Sequence, residues 1–190
     1  MYAAFALLAN AEVDNLVRKL GWEMHQKYRT GTKHCRLPPH VSLKQPFRVP
    51  SADAAETYMD ELAQSINPFE VHLTEIQIDS LTHAGTEYGI LWLAVEASEG
   101  LRQLHIRVNQ EMDQRFGNTQ ADFDGTDYQF HMTAMIGGQP VEVYRQFLDE
   151  LNNRAINLRY TAHELSMFVY DEPRGPDGEY MCYRTLPIGK

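Results

Sequence analysis

The chain has 190 residues and a net charge of −9 at pH 7, from 17 basic and 26 acidic residues. An acidic balance opposes neutralisation of a long phosphate backbone, so long nucleic acid is not an expected partner, whereas a single phosphate in a locally positive cleft is compatible. With 43% hydrophobic residues and two cysteines, the chain suits one domain over residues 1–190 and neither a disulfide framework nor a zinc site. No apolar run approaches a membrane span. We expect a cytoplasmic monomer without membrane contact.

Hydrophobic periodicity predicts seven strands and four helices in the order β-α-β-α-β-β-α-β-α-β-β. The predicted strands cover residues 2–9, 40–47, 69–78, 90–97, 129–136, 157–170 and 179–187, with a hairpin loop between the last two. The predicted helices begin near residue 11 after Asn10, near residues 51–53 (ending near 66), at residue 99 (ending near 116) and near residue 141 (ending near 153). A phase slip near Glu75 suggests a β-bulge, and the polar segment 117–127 is the best candidate for a mobile loop. Antiparallel hairpins with helices packed outside indicate an α+β fold.

Two of the predicted strands carry the same short motif, in "PPHVSLKQPF" (residues 38–47) and "YQFHMTAMIGG" (residues 128–138). Side chains two apart in a strand share a face, so His40 lies beside Ser42 and His131 lies beside Thr133. The apolar residues between them point to the opposite face, toward a core. Each strand is followed by a turn and a helix, so the chain contains a weak repeat of architecture.

Two histidines flanking one site suit acid–base catalysis near neutral pH, because one can accept a proton while the other donates one. Ser42 and Thr133 can donate hydrogen bonds to the non-bridging oxygens of a phosphate held between the histidines. No carboxylate accompanies either motif at metal-ligand spacing. We therefore expect neither a metal nor another cofactor.

The two motifs resemble the paired H-x-T/S motifs of the 2H phosphoesterase superfamily, specifically its 2'-5' RNA ligase-like or RNA 2',3'-cyclic phosphodiesterase branch. The resemblance covers nearly the whole chain, from the opening strand and helix, through "FEVHLTEIQI" and "ILWLAVEASEGLRQLHIRVN", to the final "YRTLPIG". It implies one bilobed, pseudo-two-fold domain with two antiparallel sheets around a central cleft, helices packed outside and one motif per lobe. His40 and His131 would be the general acid/base pair, and Ser42 and Thr133 would bind the phosphate.

The resemblance also implies metal-independent opening of 2',3'-cyclic phosphates on nucleotides or short RNA ends, with 2'-5' RNA joining in some members. In this chain the first motif has Ser where Thr is more usual. The second motif lacks the basic residue that often follows in ligase-like members. Two alternatives stay open: a non-catalytic nucleotide- or RNA-binding module, and a 2H hydrolase of 2',5'-oligoadenylate or an ADP-ribose cyclic phosphate.

Four further residues near the motifs are candidate substrate contacts. Lys44 shares the predicted face of His40 and Ser42, where it could reach a phosphate or simply be exposed at a strand end. Phe47 and Tyr128 could stack on a base or pack in the core. Gln129 shares the predicted face of His131 and could orient a substrate oxygen.

Overall fold

The computed structural model describes residues 1–83, 85–121, 124–151, 154–171 and 179–189. Its elements are β1 (Tyr2–Leu8), α1 (Ala11–Tyr28), a 3-10 turn (Lys33–Arg36), β2 (His40–Arg48), α2 (Ala52–Ser65), β3 (Phe69–His83), β4 (Thr86–Val95), α3 (Glu99–Phe116), β5 (His131–Ile136), α4 (Val141–Glu150), β6 (Leu158–Ala162), β7 (Glu164–Tyr170) and β8 (Tyr180–Pro187). Most of the predicted last hairpin loop, residues 172–178, and the predicted end of the fourth helix, residues 152–153, lie outside the described residues. Among the described residues, no helix is long and apolar enough to cross a membrane.

The strands form two four-stranded antiparallel sheets, which confirms the predicted α+β class. The strand order is β2-β1-β7-β8 in the first sheet and β5-β4-β3-β6 in the second. Each sheet therefore has a motif strand at one edge, β2 or β5, paired with the strand that precedes it across a helix. These two edge strands contact each other, which places the motifs side by side.

The helices pack across the two sheets. Helix α1, which connects β1 to β2, contacts β5, while α3, which connects β4 to β5, contacts β2. Asn10, Ser51 and Ser98 cap the first three helices, each accepting a hydrogen bond from a backbone N–H three residues later. Helix α3 has the predicted bounds.

One apolar core joins the inner faces of both sheets, with Phe5 and Leu43 from the first and Leu93 and Met132 from the second. A smaller cluster of Ala4, Ala6 and Phe168 lies on the other face of the first sheet. Because Ala6 is paired with Ser42, this small apolar face is the one that carries the first motif.

The predicted single strand 157–170 is wrong, because it is two strands that belong to different sheets. β6 pairs with β3 in the second sheet, whereas β7 pairs with β1 in the first. His163 separates them, and its carbonyl accepts a hydrogen bond from Ile188 N–H. The apolar pattern indicates which residues are buried but not which strand they pair with. It therefore does not show that one continuous segment bends at a corner and joins two different sheets. The predicted bulge is confirmed, as the register of β3 with β4 shifts between Leu73 and Glu75.

Candidate active site

The first motif lies on β2 with the predicted division of faces. His40 is paired with Leu8 and Ser42 with Ala6, and both motif side chains are half-buried. Val41, between them, is fully buried in the core. The imidazole and the hydroxyl therefore share the face of the first sheet that the core does not cover.

The second motif repeats this arrangement on β5. His131 is paired with Ala94 and Thr133 with Trp92, and both are half-buried. Met132, between them, is fully buried. The predicted alternation of faces is thus confirmed across the three residues of each motif, from His40 to Ser42 and from His131 to Thr133.

The two imidazoles are held by the same hydrogen bond. Nδ1 of His40 lies 2.8 Å from the carbonyl oxygen of Pro38, and Nδ1 of His131 lies 2.8 Å from that of Gln129. A carbonyl oxygen only accepts, so Nδ1 carries the proton in each ring. In the neutral imidazoles, Nε2 is therefore the nitrogen that can accept a proton, and both rings are fixed in that tautomer.

Burial lowers the pKa of both motif histidines. The pKa of His40 falls to about 4, mainly through burial, and the nearby positive charge of His131 adds to this effect. In both rings a backbone carbonyl, that of Pro38 for His40 and that of Gln129 for His131, opposes the effect of burial on the pKa. For His131, the negative charge of Asp79 opposes it as well. The two rings thus interact electrostatically although the motifs are far apart in the sequence, and His131 has more support for its protonated form.

The rings beside the two histidines differ. The imidazole of His40 meets the ring of Phe168 edge-on, with centroids 4.5 Å apart. The imidazole of His131 lies 4.2 Å from the ring of Trp92, at an interplanar angle of 32°. Trp92 also donates its indole N–H to Gln77 Oε1 at 3.1 Å, which orients the ring.

Sequence reasoning did not single out Trp92. Alternation along "ILWLAV" does place it on the face opposite Leu91 and Leu93, which are fully buried. That signal identifies the open face of the second sheet, but only the pairing of β4 with β5 sets Trp92 beside Thr133.

The prediction that Lys44 faces the cleft is wrong. Ser42 is opposite Ala6 but Lys44 is opposite Phe5, so Leu43 is an extra residue that forms a bulge. Lys44 therefore points to the core face, where it is fully buried and ion-paired with Asp124. A bulge reverses the alternation that the prediction assumed.

The same bulge occurs at the same place in the second motif. Thr133 is opposite Trp92 but Met135 is opposite Leu91, which leaves Ala134 as the extra residue. Met135 is fully buried, as Lys44 is. The two strands thus share a motif, a bulge directly after the hydroxyl residue, and a core-facing residue after the bulge.

The predicted base contact of Phe47 is wrong as well. Its side chain is 3% exposed and packs against Phe5 and Phe116 in the core. A second register shift, between Lys44 and Phe47, carries it to this face. A ring buried on this side of the sheet is not available to a base in the cleft.

Tyr128 lies at the site, but its ring is not an open stacking surface. The residue is 5% exposed, with the ring stacked on His105 at 4.6 Å and 11° and Phe130 meeting it edge-on. Its hydroxyl accepts a hydrogen bond from Gln45 Nε2 at 3.0 Å. The predicted stacking on a base is therefore wrong, and the hydroxyl is the part that faces the motifs.

A recess of about 380 Å³ adjoins His131. It is lined by Gln77, Trp92, Ala94, Val95, Arg102, Asp127, Tyr128, Gln129, Phe130 and His131. Gln129 is exposed and is one of the residues that line this recess, and its carbonyl holds His131. A substrate contact by Gln129 stays a prediction.

Among the described residues, no group of three or more His, Cys, Asp or Glu side chains is arranged to hold a metal ion. Cys35 and Cys182 are free thiols, and neither belongs to the motif strands. The ionisable side chains that the two motifs place on the open faces of the sheets are the imidazoles of His40 and His131.

The family model of the 2'-5' RNA ligase superfamily matches residues 12–174, and the chain belongs to this superfamily of 2H phosphoesterases. Its fold is similar to that of TT0787 of Thermus thermophilus, with a TM-score of 0.65 and 14% identity over 99% of this chain and 98% of that chain. It is also similar to E. coli LigT complexed with 3'-AMP, with a TM-score of 0.57 and 16% identity over 99% and 98% of the two chains. A second LigT structure, complexed with NADP+, gives a TM-score of 0.54 at 16% identity over 99% and 97%. No curated protein matches the chain significantly in sequence.

Proposed function

We propose that this protein hydrolyses 2',3'-cyclic phosphates of nucleotides or short RNA ends by two-histidine acid–base catalysis. The observation that carries the proposal is the matched pair of imidazoles. His40 and His131 lie on two edge strands in contact, each with Nδ1 held by a carbonyl and Nε2 left for proton transfer. Two proton-transfer groups fixed in the same tautomer suit a reaction that needs one base and one acid.

In the proposed reaction, one histidine takes a proton from water as the water oxygen bonds to phosphorus. The bond from phosphorus to the ribose 2' or 3' oxygen breaks, and the other histidine gives that oxygen a proton. The product is a nucleoside monophosphate, and each histidine ends in the state in which the other began. Ser42 and Thr133 donate hydrogen bonds to the non-bridging oxygens, where charge builds in the transition state.

The surroundings of the two histidines favour His40 as the base and His131 as the acid. His40 faces Phe168 and Leu8, and its burial keeps it neutral. His131 has the carboxylate of Asp79 nearby, which favours the protonated ring. A base must begin neutral and an acid must begin protonated, so the electrostatics match this division.

The class of ligand is supported by the similar structures. LigT of E. coli is complexed with 3'-AMP in one structure and with NADP+ in another, so a related fold accepts nucleotides. A nucleotide with a phosphate on its ribose would place that phosphate between the two histidines here. The chain's net charge of −9 favours such small ligands over long nucleic acid. We place the reaction in the cytoplasm, with the protein as a monomer of one bilobed domain.

A hydrolase of 2'-5' phosphodiesters or of an ADP-ribose cyclic phosphate is the second candidate, because the recess beside His131 adds room for a second nucleoside. A purely binding module would need neither of the two oriented imidazoles.

The deciding experiment is hydrolysis of a 2',3'-cyclic mononucleotide in the presence of EDTA. We expect turnover by the wild type and a loss of about 10²–10⁴-fold in kcat for His40→Ala and for His131→Ala. The control is His72→Ala, since His72 is bonded to Glu96 and Asn157 away from the motifs. Absence of wild-type turnover on cyclic mononucleotides, 2'-5' dinucleotides and an ADP-ribose cyclic phosphate would reject an enzymatic role. Where turnover is seen, the isomer of the product identifies the leaving oxygen.

A further inference from the structure

The bulges in β2 and β5 place unlike residues at matching positions. After the bulge, β5 places Met135 in the core, whereas β2 places Lys44 there, and both are fully buried. A buried cation is costly unless it is paired, and a methionine fills such a position without that cost. Packing alone therefore does not explain why this position carries a charged residue.

Lys44 is bonded to the segment that connects α3 to β5. Its ammonium group donates to the carbonyl of Thr119 at 2.9 Å and to the carboxylate of Asp124. Asp124 also accepts from the backbone N–H groups of Gln45, at 3.4 Å, and Ala121, at 3.1 Å. Thr119 is in turn bonded to Asp113 on α3 through its N–H and its hydroxyl. In its described residues, the segment 117–127 that the sequence suggested as mobile is thus bonded to β2 and α3.

The next cleft-facing residue on β2 makes a second connection to the same segment. The bulge turns Gln45 back toward the cleft, and its amide donates to the Tyr128 hydroxyl at 3.0 Å. Tyr128 lies three residues before His131, and the residue that follows it, Gln129, supplies the carbonyl that holds the His131 ring. The Tyr128 ring is itself fixed by His105 and Phe130. Burial raises the pKa of Tyr128 to about 12, opposed by Gln45 and Ser42, so the hydroxyl is neutral at physiological pH.

We propose that Lys44, Asp124, Gln45 and Tyr128 form a clamp that holds β2 and the start of β5 at the separation the two histidines need. The proposal rests on the proposed function and adds positioning residues to it, since none of the four replaces a histidine or a motif hydroxyl. Tyr128 and Gln45 act at the cleft, through the neighbouring Ser42 and His131. Lys44 and Asp124 act from the core, by fixing the segment that carries Tyr128.

The test is Tyr128→Phe, which removes the hydroxyl and keeps the ring between His105 and Phe130. The matched control is Tyr160→Phe, because Tyr160 is a buried tyrosine whose hydroxyl has no hydrogen-bond partner among the described residues. With a 2',3'-cyclic mononucleotide, we expect Tyr128→Phe to lower kcat about five- to tenfold with little change in KM, because the histidines are misaligned more than binding is lost. Tyr160→Phe is expected to leave both constants unchanged.

A double-mutant cycle of Gln45→Ala and Tyr128→Phe separates positioning from general destabilisation. If the two residues act through one hydrogen bond, the double variant loses no more of kcat than the larger single variant. A kcat of Tyr128→Phe equal to that of Tyr160→Phe, or effects that multiply in the double variant, overturns the clamp while leaving the proposed function intact. A wild type without turnover overturns both. Melting temperatures of all variants are measured alongside, and a drop in kcat that only follows a drop in melting temperature also counts against positioning.

Discussion

The two motif strands have the same backbone geometry but different neighbouring side chains. In each, a carbonyl two residues before the histidine holds Nδ1, and a bulge follows the hydroxyl residue. Around His40 the first sheet presents small apolar residues and Phe168, whereas around His131 the second sheet presents Trp92 and, nearby, Asp79. The repeated motif thus gives both imidazoles the same backbone geometry, while the neighbouring strands give them different electrostatic surroundings.

The difference between the two histidines can be tested with a substrate that makes one of them unnecessary. A deoxynucleoside 3'-(4-nitrophenyl) phosphate has a leaving group that needs no proton, so the general acid is no longer required. We expect His131→Ala to recover most of wild-type kcat on this substrate, and His40→Ala to stay about 10²–10⁴-fold below it. The measurement is release of nitrophenolate under single-turnover conditions.

The reverse pattern, with His40→Ala recovered and His131→Ala not, would exchange the two roles. Equal losses for both variants on both substrates would mean that the difference in surroundings does not assign acid and base.

The next largest effect concerns the stability contributed by Lys44, the residue after the bulge in β2. Lys44→Ala leaves Asp124 buried without its partner, and we expect the free energy of unfolding to fall by about 3–5 kcal/mol. Replacing both charges, with Lys44→Met and Asp124→Leu, should cost much less, because an apolar residue already occupies the matching position in β5. Urea denaturation measures both, with the exposed Lys19→Ala as control.

If Lys44→Ala is as stable as Lys19→Ala, the buried ion pair does not hold the fold. If the double variant is as unstable as Lys44→Ala, the two charges are needed at this position and an apolar pair does not replace them.

The smallest expected effect concerns the pH at which kcat/KM is highest. Burial lowers the pKa of both histidines below their usual value near 6.5, that of His40 to about 4. The acid is protonated only below its pKa and the base is neutral only above its own, so the active form is most abundant between these values. We expect an optimum between about pH 4 and pH 6.5, with kcat/KM falling as the pH rises toward 8.

The bound phosphate should stabilise the protonated rings, so the optimum of kcat is expected at higher pH than that of kcat/KM. An optimum of kcat/KM at or above pH 7 would show that the burial of the imidazoles does not control their titration in the ligand-free protein.

Much of the site could be predicted from the residues alone. Alternation with period two placed His40 with Ser42 and His131 with Thr133, away from the core, because a regular strand fixes which side chains share a face. Helix α3 was predicted at its observed bounds because its apolar residues recur at helical spacing. Local rules of this kind need no knowledge of distant parts of the chain.

Local patterns could not predict the features that depend on which strands become neighbours. The bulge at Leu43, which turns Lys44 toward the core, arises from the pairing of β2 with β1 and could not be predicted from the residues of β2 alone. The split of 157–170 between two sheets, the place of Trp92 beside Thr133, and the clamp through Asp124 and Tyr128 are likewise set by long-range pairing. The identity of the four motif side chains and the face of the strand on which each lies follow from the sequence and from local backbone geometry alone. Their mutual approach and their protonation depend on burial and on neighbours from remote segments, which exist only once the two sheets are assembled.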